Sequence, residues 1–278
     1  MLALLIGVSR WRFWLYLGGT YLVGYTAGAA SLAAFRQPWF WVHLLFFLFP
    51  ANLLLYGLND LCDSDTDARN PKKGTKEVRL TASQRLVVRR AVLVVLIGGF
   101  VLALFQRRPG EVVTLVSFCA LAAAYSVPPV RLKARPVVDS ASNVLYALPG
   151  FLGYQHAGAQ AVPAVAVLVA GLWTAAMHLF SAIPDIESDR ASGLATTASV
   201  LGERGSLLVC SILWVAFTAA VVGAGVLRPW SLALIAYPLI ALLLLICGPA
   251  AVGRVYWYFP AVNAGMGAGA FFLLARQL

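Results

Sequence analysis

Charge is scarce in this chain. Only 12% of its 278 residues are charged, about half the ~25% of a soluble globular domain, which argues against a soluble enzyme. Cysteine is sparse too. Cys62, Cys119, Cys210 and Cys247 are scattered and form no CxxC pair, so neither a disulfide scaffold nor a zinc framework is expected. The formal net charge is +10, which raises nucleic acid as a partner. The cations flank apolar stretches, where they act as topology signals, and no nucleic-acid role is expected. No polar linker or composition shift divides the chain, so residues 1–278 read as one domain. The first apolar segment is not followed by a small-residue cleavage site, and it reads as a retained span rather than a signal peptide.

What fills the chain is hydrocarbon: 61% of residues are hydrophobic. A spanning helix needs about 20 apolar residues. Apolar runs set against polar punctuation predict about nine spans, near 11–35, 39–61, 84–106, 111–127, 137–157, 162–183, 206–227, 230–249 and 255–275. The expected fold is all-α, a polytopic transmembrane helical bundle. With the N-terminus inside, 16 Lys and Arg residues fall on the cytoplasmic side and 5 outside. That asymmetry predicts an N-in orientation in the cell membrane.

Carboxylates are few, and seven of the eleven sit in two places. The first is NLLLYGLNDLCDSDTDARNPKKG, with Asn59, Asp60, Asp63, Asp65 and Asp67 at the end of the second span. The second is AIPDIESDR, with Asp185, Glu187 and Asp189 at the end of the sixth. Ionisable groups at membrane segments ask for a function. Four spans separate the clusters, which hints at a duplicated half. Asn59, Asp63 and Asp67 are spaced i, i+4, i+8, so a helix would carry them on one face, with Asn52 and Tyr56 continuing it into the membrane. Asp60 is an adjacent rung. Asp185 and Asp189 repeat the i, i+4 spacing, with Pro184 starting a new turn and Glu187 facing away. A carboxylate stripe without a cation repels itself, and oxygen-only donors suit Mg²⁺ or Ca²⁺. His178 and Ser181 share the face of Asp185, and the ordinary reading of all three histidines, His43, His156 and His178, is hydrogen bonding within the bundle.

Cations stand beside both clusters: Arg69, Lys72 and Lys73 after the first, Arg190 after the second, and Arg131, Lys133 and Arg135 in YSVPPVRLKAR. Lys and Arg next to a diphosphate give charge-assisted hydrogen bonds. The pattern points to a Mg²⁺–diphosphate site at the cytoplasmic mouth of an apolar bundle. An amphipathic isoprenyl diphosphate fits it, with its tail among the helices.

These motifs resemble the UbiA-type intramembrane prenyltransferases. The family's NDxxDxxxD stands here as Asn59 to Asp67, its second DxxxD as Asp185 to Asp189 with Gly193 and Thr196 following, and its YSxPPxRLKxR signature as Tyr125 to Arg135. The resemblance implies a Mg²⁺-dependent enzyme with Asn59, Asp63, Asp67, Asp185 and Asp189 as metal ligands and Asp60 assisting. It implies Lys133 as a diphosphate-binding lysine, with Tyr125 and Asn52 lining the cavity near the reacting carbon. In place of an arginine-rich segment after the first motif, this chain has Asn70-Pro71-Lys72-Lys73-Gly74. That variant is similar to the carotenoid branch, the lycopene elongases, and makes Lys72 or Lys73 the replacement cation.

The expected reaction moves an isoprenyl group from an allylic diphosphate, such as dimethylallyl diphosphate, to a hydrophobic acceptor. Lycopene or a related carotenoid is favoured, because no buried Arg or Lys away from the mouth is evident to hold an aromatic acid's carboxylate. An aromatic acid, a quinone precursor or another lipid acceptor is the alternative. Two other classes stand further off. A cation transporter would place its carboxylates near mid-membrane on broken helices, and a non-catalytic lipid-binding protein would have lost a motif carboxylate.

Overall fold

The computed structural model describes residues 1–63 and 78–278. It is helical, with no strand among the described residues. Seven helical stretches there are long and apolar enough to cross a membrane. The other two expected spans are helical as well. Near 11–35 stands a single helix of 15 residues, and 137–157 is broken into short helical pieces. The chain divides into two compact units, residues 1–131 with 148–161 (and Leu278), and residues 132–147 with 162–277.

The first unit holds α1 (Leu2–Val8), α2 (Trp14–Gly28), α3 (Pro38–Leu48), α4 (Pro50–Cys62), α5 (Ala82–Leu104), α6 (Pro109–Ser126) and, after an excursion into the second unit, a further helix at Leu148–His156. α3 and α4 are one membrane-length stretch broken at Phe49, since Pro50 has no N–H to continue the ladder. α5 starts on a capping box: Gln84 N donates to Thr81 Oγ1 at 3.4 Å, and Thr81 N to Gln84 Oε1 at 2.9 Å. α6 starts at Pro109, and Glu111 accepts from the backbone N–H groups of Arg107 and Arg108 at 2.9 and 3.2 Å. One carboxylate outside the clusters is thereby explained as a helix cap.

α2 and Leu148–His156 approach at glycines. A Cβ on Gly24 would strike the carbonyl of Gly150, one on Gly153 that of Tyr21, and one on Gly28 would lie 2.6 Å from Tyr154 O. Close approach through small residues is a usual way for membrane helices to gain contact. Beside this seam Tyr21 packs on Phe40 and Phe47, with centroids 5.9 and 5.5 Å away.

A directed chain of hydrogen bonds runs through the unit. Tyr21 OH donates to His156 Nδ1 (3.1 Å), His156 Nε2–H to Gln106 Oε1 (2.6 Å), Gln106 Nε2–H to His43 Nε2 (3.0 Å), and His43 Nδ1–H to Trp39 O (3.0 Å). His43 and His156 are therefore bundle histidines satisfied by hydrogen bonds, as their surroundings in the sequence suggest.

The second unit opens with a 3₁₀ turn, Leu132–Ala134, and α7 (Val138–Ala141). With the earlier Leu148–His156 taken as α8, it continues through α9 (Ala164–Ala182), α10 (Ile186–Ala191), α11 (Thr197–Gly223), α12 (Ala236–Cys247) and α13 (Val252–Ala275). α11 carries a kink at Gly202, whose φ of 70° suits a residue without a Cβ. The core is aromatic: Trp214 stacks on Phe259 at 5.9 Å, and Phe180 lies 4.7 Å from Phe259. Tyr237 keeps its hydroxyl bonded inside this core, donating to Asn263 Oδ1 at 2.7 Å.

Candidate active site

In the first unit the described part of the first acidic motif, Asn59 to Asp63, ends α4. Asp63 N donates to Asn59 O at 3.0 Å, which places Asn59 and Asp63 one turn apart as their spacing predicts. The helix stops there: Asp63 is its C-cap, with φ −104° and ψ 17°. Asp65, Asp67, Arg69, Lys72 and Lys73 lie outside the described residues.

The loop after α6 returns to this turn. Arg131 Nη2 lies 3.1 Å from Asp63 Oδ1, and Ser126 Oγ donates to Asn59 Oδ1 at 3.4 Å. The YSVPPVR segment and the first acidic motif therefore form one cluster, and Arg131 pairs with a motif carboxylate. Arg131 adopts φ 38°, a backbone state uncommon for any residue but glycine and held only by surrounding contacts. Tyr125 is half-buried on the last turn of α6.

Asn52 is fully buried. Its amide donates to Phe47 O and Leu48 O, at 2.8 and 3.0 Å, bridging the α3–α4 break. That use of the nitrogen fixes the orientation of the amide, and it leaves Oδ1 buried without a hydrogen-bond partner. An orphaned buried acceptor of this kind asks for a ligand or water.

Tyr56 and Asp60 have a neighbour that sequence spacing did not supply. Arg10, at φ 51° just past α1, places its guanidinium 4.7 Å over the Tyr56 ring and 3.2 Å from Asp60 Oδ1. Asp60 is 3% exposed, so its charge is balanced by a buried ion pair within the unit. Arg85 caps the same turn, donating to Leu61 O at 2.7 Å, a favourable use of a cation at a helix C-terminus.

In the second unit α9 ends at Ala182, and a 3₁₀ turn over Ile183–Asp185 carries Pro184. Asp185 is then the N-cap residue of α10, and Asp189 follows one turn on. Glu187 is exposed, as its place between them predicts. Asp189 Oδ2 accepts from Thr196 Oγ1 at 3.2 Å. Arg190, read from sequence as part of a phosphate clamp, instead sends Nε and Nη2 to Ser199 O at 2.9 and 2.6 Å. The carbonyl lies within the first turn of α11, and the two-pronged guanidinium ties α10 to it. Lys133 is 6% exposed in its 3₁₀ turn, unusual burial for a lysine.

Sequence reasoning passed over Asp139. It is fully buried and accepts from Ser140 N at 2.7 Å, Thr197 N at 2.8 Å and Thr197 Oγ1. His178 Nε2 lies 3.8 Å from its Oδ2, long for a hydrogen bond. The missed signal was a lone carboxylate near the start of an apolar segment, which is a functional hypothesis by default. Among the described residues no three Asp, Glu, His or Cys groups are gathered as a ready metal-binding set.

Comparison with known proteins converges with these motifs. Residues 17–272 match the family model described as the UbiA prenyltransferase family. A lycopene elongase/hydratase of Halobacterium salinarum is 42% identical, over 96% of this chain and 95% of its own. One from Haloferax volcanii is 42% identical, over 94% of this chain and 84% of its own. Among solved structures, a UbiA homologue from Archaeoglobus fulgidus bound to DMAPP and Mg²⁺ superposes with a TM-score of 0.75. It is 22% identical, and the match covers 99% of each chain, so it shows the fold. With the three motifs in order, the helical bundle and the family match over nearly the whole length, the chain belongs to the UbiA prenyltransferase family and is a multi-pass membrane enzyme that transfers prenyl groups.

Proposed function

We propose that this enzyme transfers the isoprenyl group of an allylic diphosphate, dimethylallyl diphosphate, to a terminal double bond of lycopene or a related carotenoid. One observation carries the choice of acceptor. Three relatives, each 39–42% identical over at least 94% of this chain, are all lycopene elongase/hydratases. The reading treats residues 1–278 as one catalytic domain, which the family match across both compact units supports.

The donor atoms fit a hard divalent cation. Asn59, Asp63, Asp185 and Asp189 offer only oxygen, and Mg²⁺ is usually shared between carboxylates and substrate phosphates. Asp67 and an assisting Asp60 complete the assignment. When bound, Mg²⁺ would neutralise charge that develops on the departing diphosphate. Lys133, with Arg69, Lys72, Lys73 and Arg131, supplies the protein's own cations for the same purpose. The allylic C–O bond breaks and its electron pair leaves with the diphosphate. Asn52, Tyr56 and Tyr125 line the apolar side, where exclusion of water protects the allylic cation. The acceptor's double bond attacks, and the resulting tertiary cation loses a proton or adds water. The charge asymmetry supports an N-in orientation in the cell membrane, with the diphosphate site at the cytoplasmic face.

Membranes containing the protein, supplied with Mg²⁺, lycopene and dimethylallyl diphosphate, should yield carotenoids heavier by one or two C5 units, with or without added water, by mass spectrometry. Failure with lycopene alongside prenylation of an aromatic acid or quinone precursor would overturn the acceptor and keep the donor chemistry.

A further inference from the structure

Asp139 lies outside both acidic clusters, yet it is more deeply enclosed than any of their described carboxylates. Its partner, Thr197, is the first residue of α11. The Thr197 N–H is one of the donors a helix start leaves unsatisfied, and a carboxylate there is favoured by the helix dipole. Thr197 Oγ1 donates to Asp139 and in turn accepts from Val137 N at 2.6 Å. Val137 has φ 70°, an outlier for a β-branched residue that persists only where contacts hold it.

The two ends of this arrangement reach the diphosphate chemistry. Val137 and Asp139 follow Lys133 by four and six residues, and Asp139 N donates to Arg135 O at 2.9 Å, closing the backbone between them. On the far side Thr196, next to Thr197, donates to the motif carboxylate Asp189. We propose that Asp139 and Thr197 form a latch that sets the spacing between Lys133 and Asp189. Asp139 is a positioning residue in this scheme, acting through Thr197. The inference rests on the proposed Mg²⁺–diphosphate role of Lys133 and Asp189.

Thr197→Val keeps the shape of the side chain and removes the hydroxyl, Thr197→Ser keeps the hydroxyl, and Asp139→Asn removes the charge. The binding of Mn²⁺ with inorganic diphosphate to purified protein in nanodiscs, read by electron paramagnetic resonance, reports the site without turnover. KM and kcat for the donor are measured beside it. Thr197→Val and Asp139→Asn should weaken Mn²⁺–diphosphate binding and raise the donor KM by at least about tenfold, the usual scale for losing a group that orients metal ligands. Thr197→Ser should stay within about twofold of wild type on the same scale. If Thr197→Val binds as wild type and merely unfolds at lower temperature, the latch is structural and the inference is overturned. If wild-type protein itself does not bind Mn²⁺–diphosphate, the site assignment beneath it falls first and takes the latch with it.

Discussion

Two aspartates three residues apart on α4 do different work. Asp60 is buried against Arg10, whereas Asp63 ends the helix beside the more exposed Arg131. Removing one partner of a buried pair leaves an uncompensated charge and costs about 3–5 kcal/mol; Asp63 is buried too, but its partner Arg131 keeps more contact with solvent, so its loss costs less. Asp60→Ala should therefore lower the thermal unfolding temperature in detergent markedly. Asp63→Ala, like Asp185→Ala, should leave the protein folded in the membrane and abolish prenyl transfer. Normal turnover in either of the latter would refute the metal-site assignment. The one-turn placement of Asn59 and Asp63 was legible because i, i+4 spacing is a local property of a helix. The partner of Asp60 was not, because Arg10 arrives from 50 residues away through a left-handed backbone position that no periodicity announces. Arg190 illustrates the same limit: its neighbourhood suggested phosphate, but a carbonyl at the start of the next helix claims the guanidinium.

At the scale of elements, the contact between α2 and α8 depends on glycine. With Gly24 and Gly153 against backbone carbonyls, a side chain of any size must drive the helices apart. Gly24→Val should cost at least the ~1–3 kcal/mol of an overpacked core, seen as earlier thermal unfolding, and a wild-type melting curve would show that the helices can separate freely. Hydropathy revealed that these segments are helices but not how closely two of them pack. It also drew 137–157 as one span, where the structure has α7, a 3₁₀ turn and α8. The polar run Asp139, Ser140, Ser142 and Asn143 breaks it, since these side chains bond backbone groups locally: Ser142 Oγ and Asn143 Nδ2 both donate to Asp139 O.

For the molecule as a whole, orientation is open to a direct measurement. Gln160 is exposed in the turn after α8, on the outer side in the N-in arrangement. Gln160→Cys should react with a membrane-impermeant maleimide in intact cells while the wild-type chain stays unlabelled; the reverse orientation would protect Gln160→Cys until the membrane is opened. The order of the chain through its two compact units bears on how it is made. Residues 132–147 belong to the second unit but leave the ribosome before 148–161 have completed the first. Asp139 is synthesised 58 residues ahead of Thr197, roughly 3–12 s at ordinary elongation rates of about 5–20 residues per second. Through that interval a nascent carboxylate must wait for the two donors that Thr197 supplies, so the stretch around Asp139 is where translation speed and membrane insertion have to keep pace with each other.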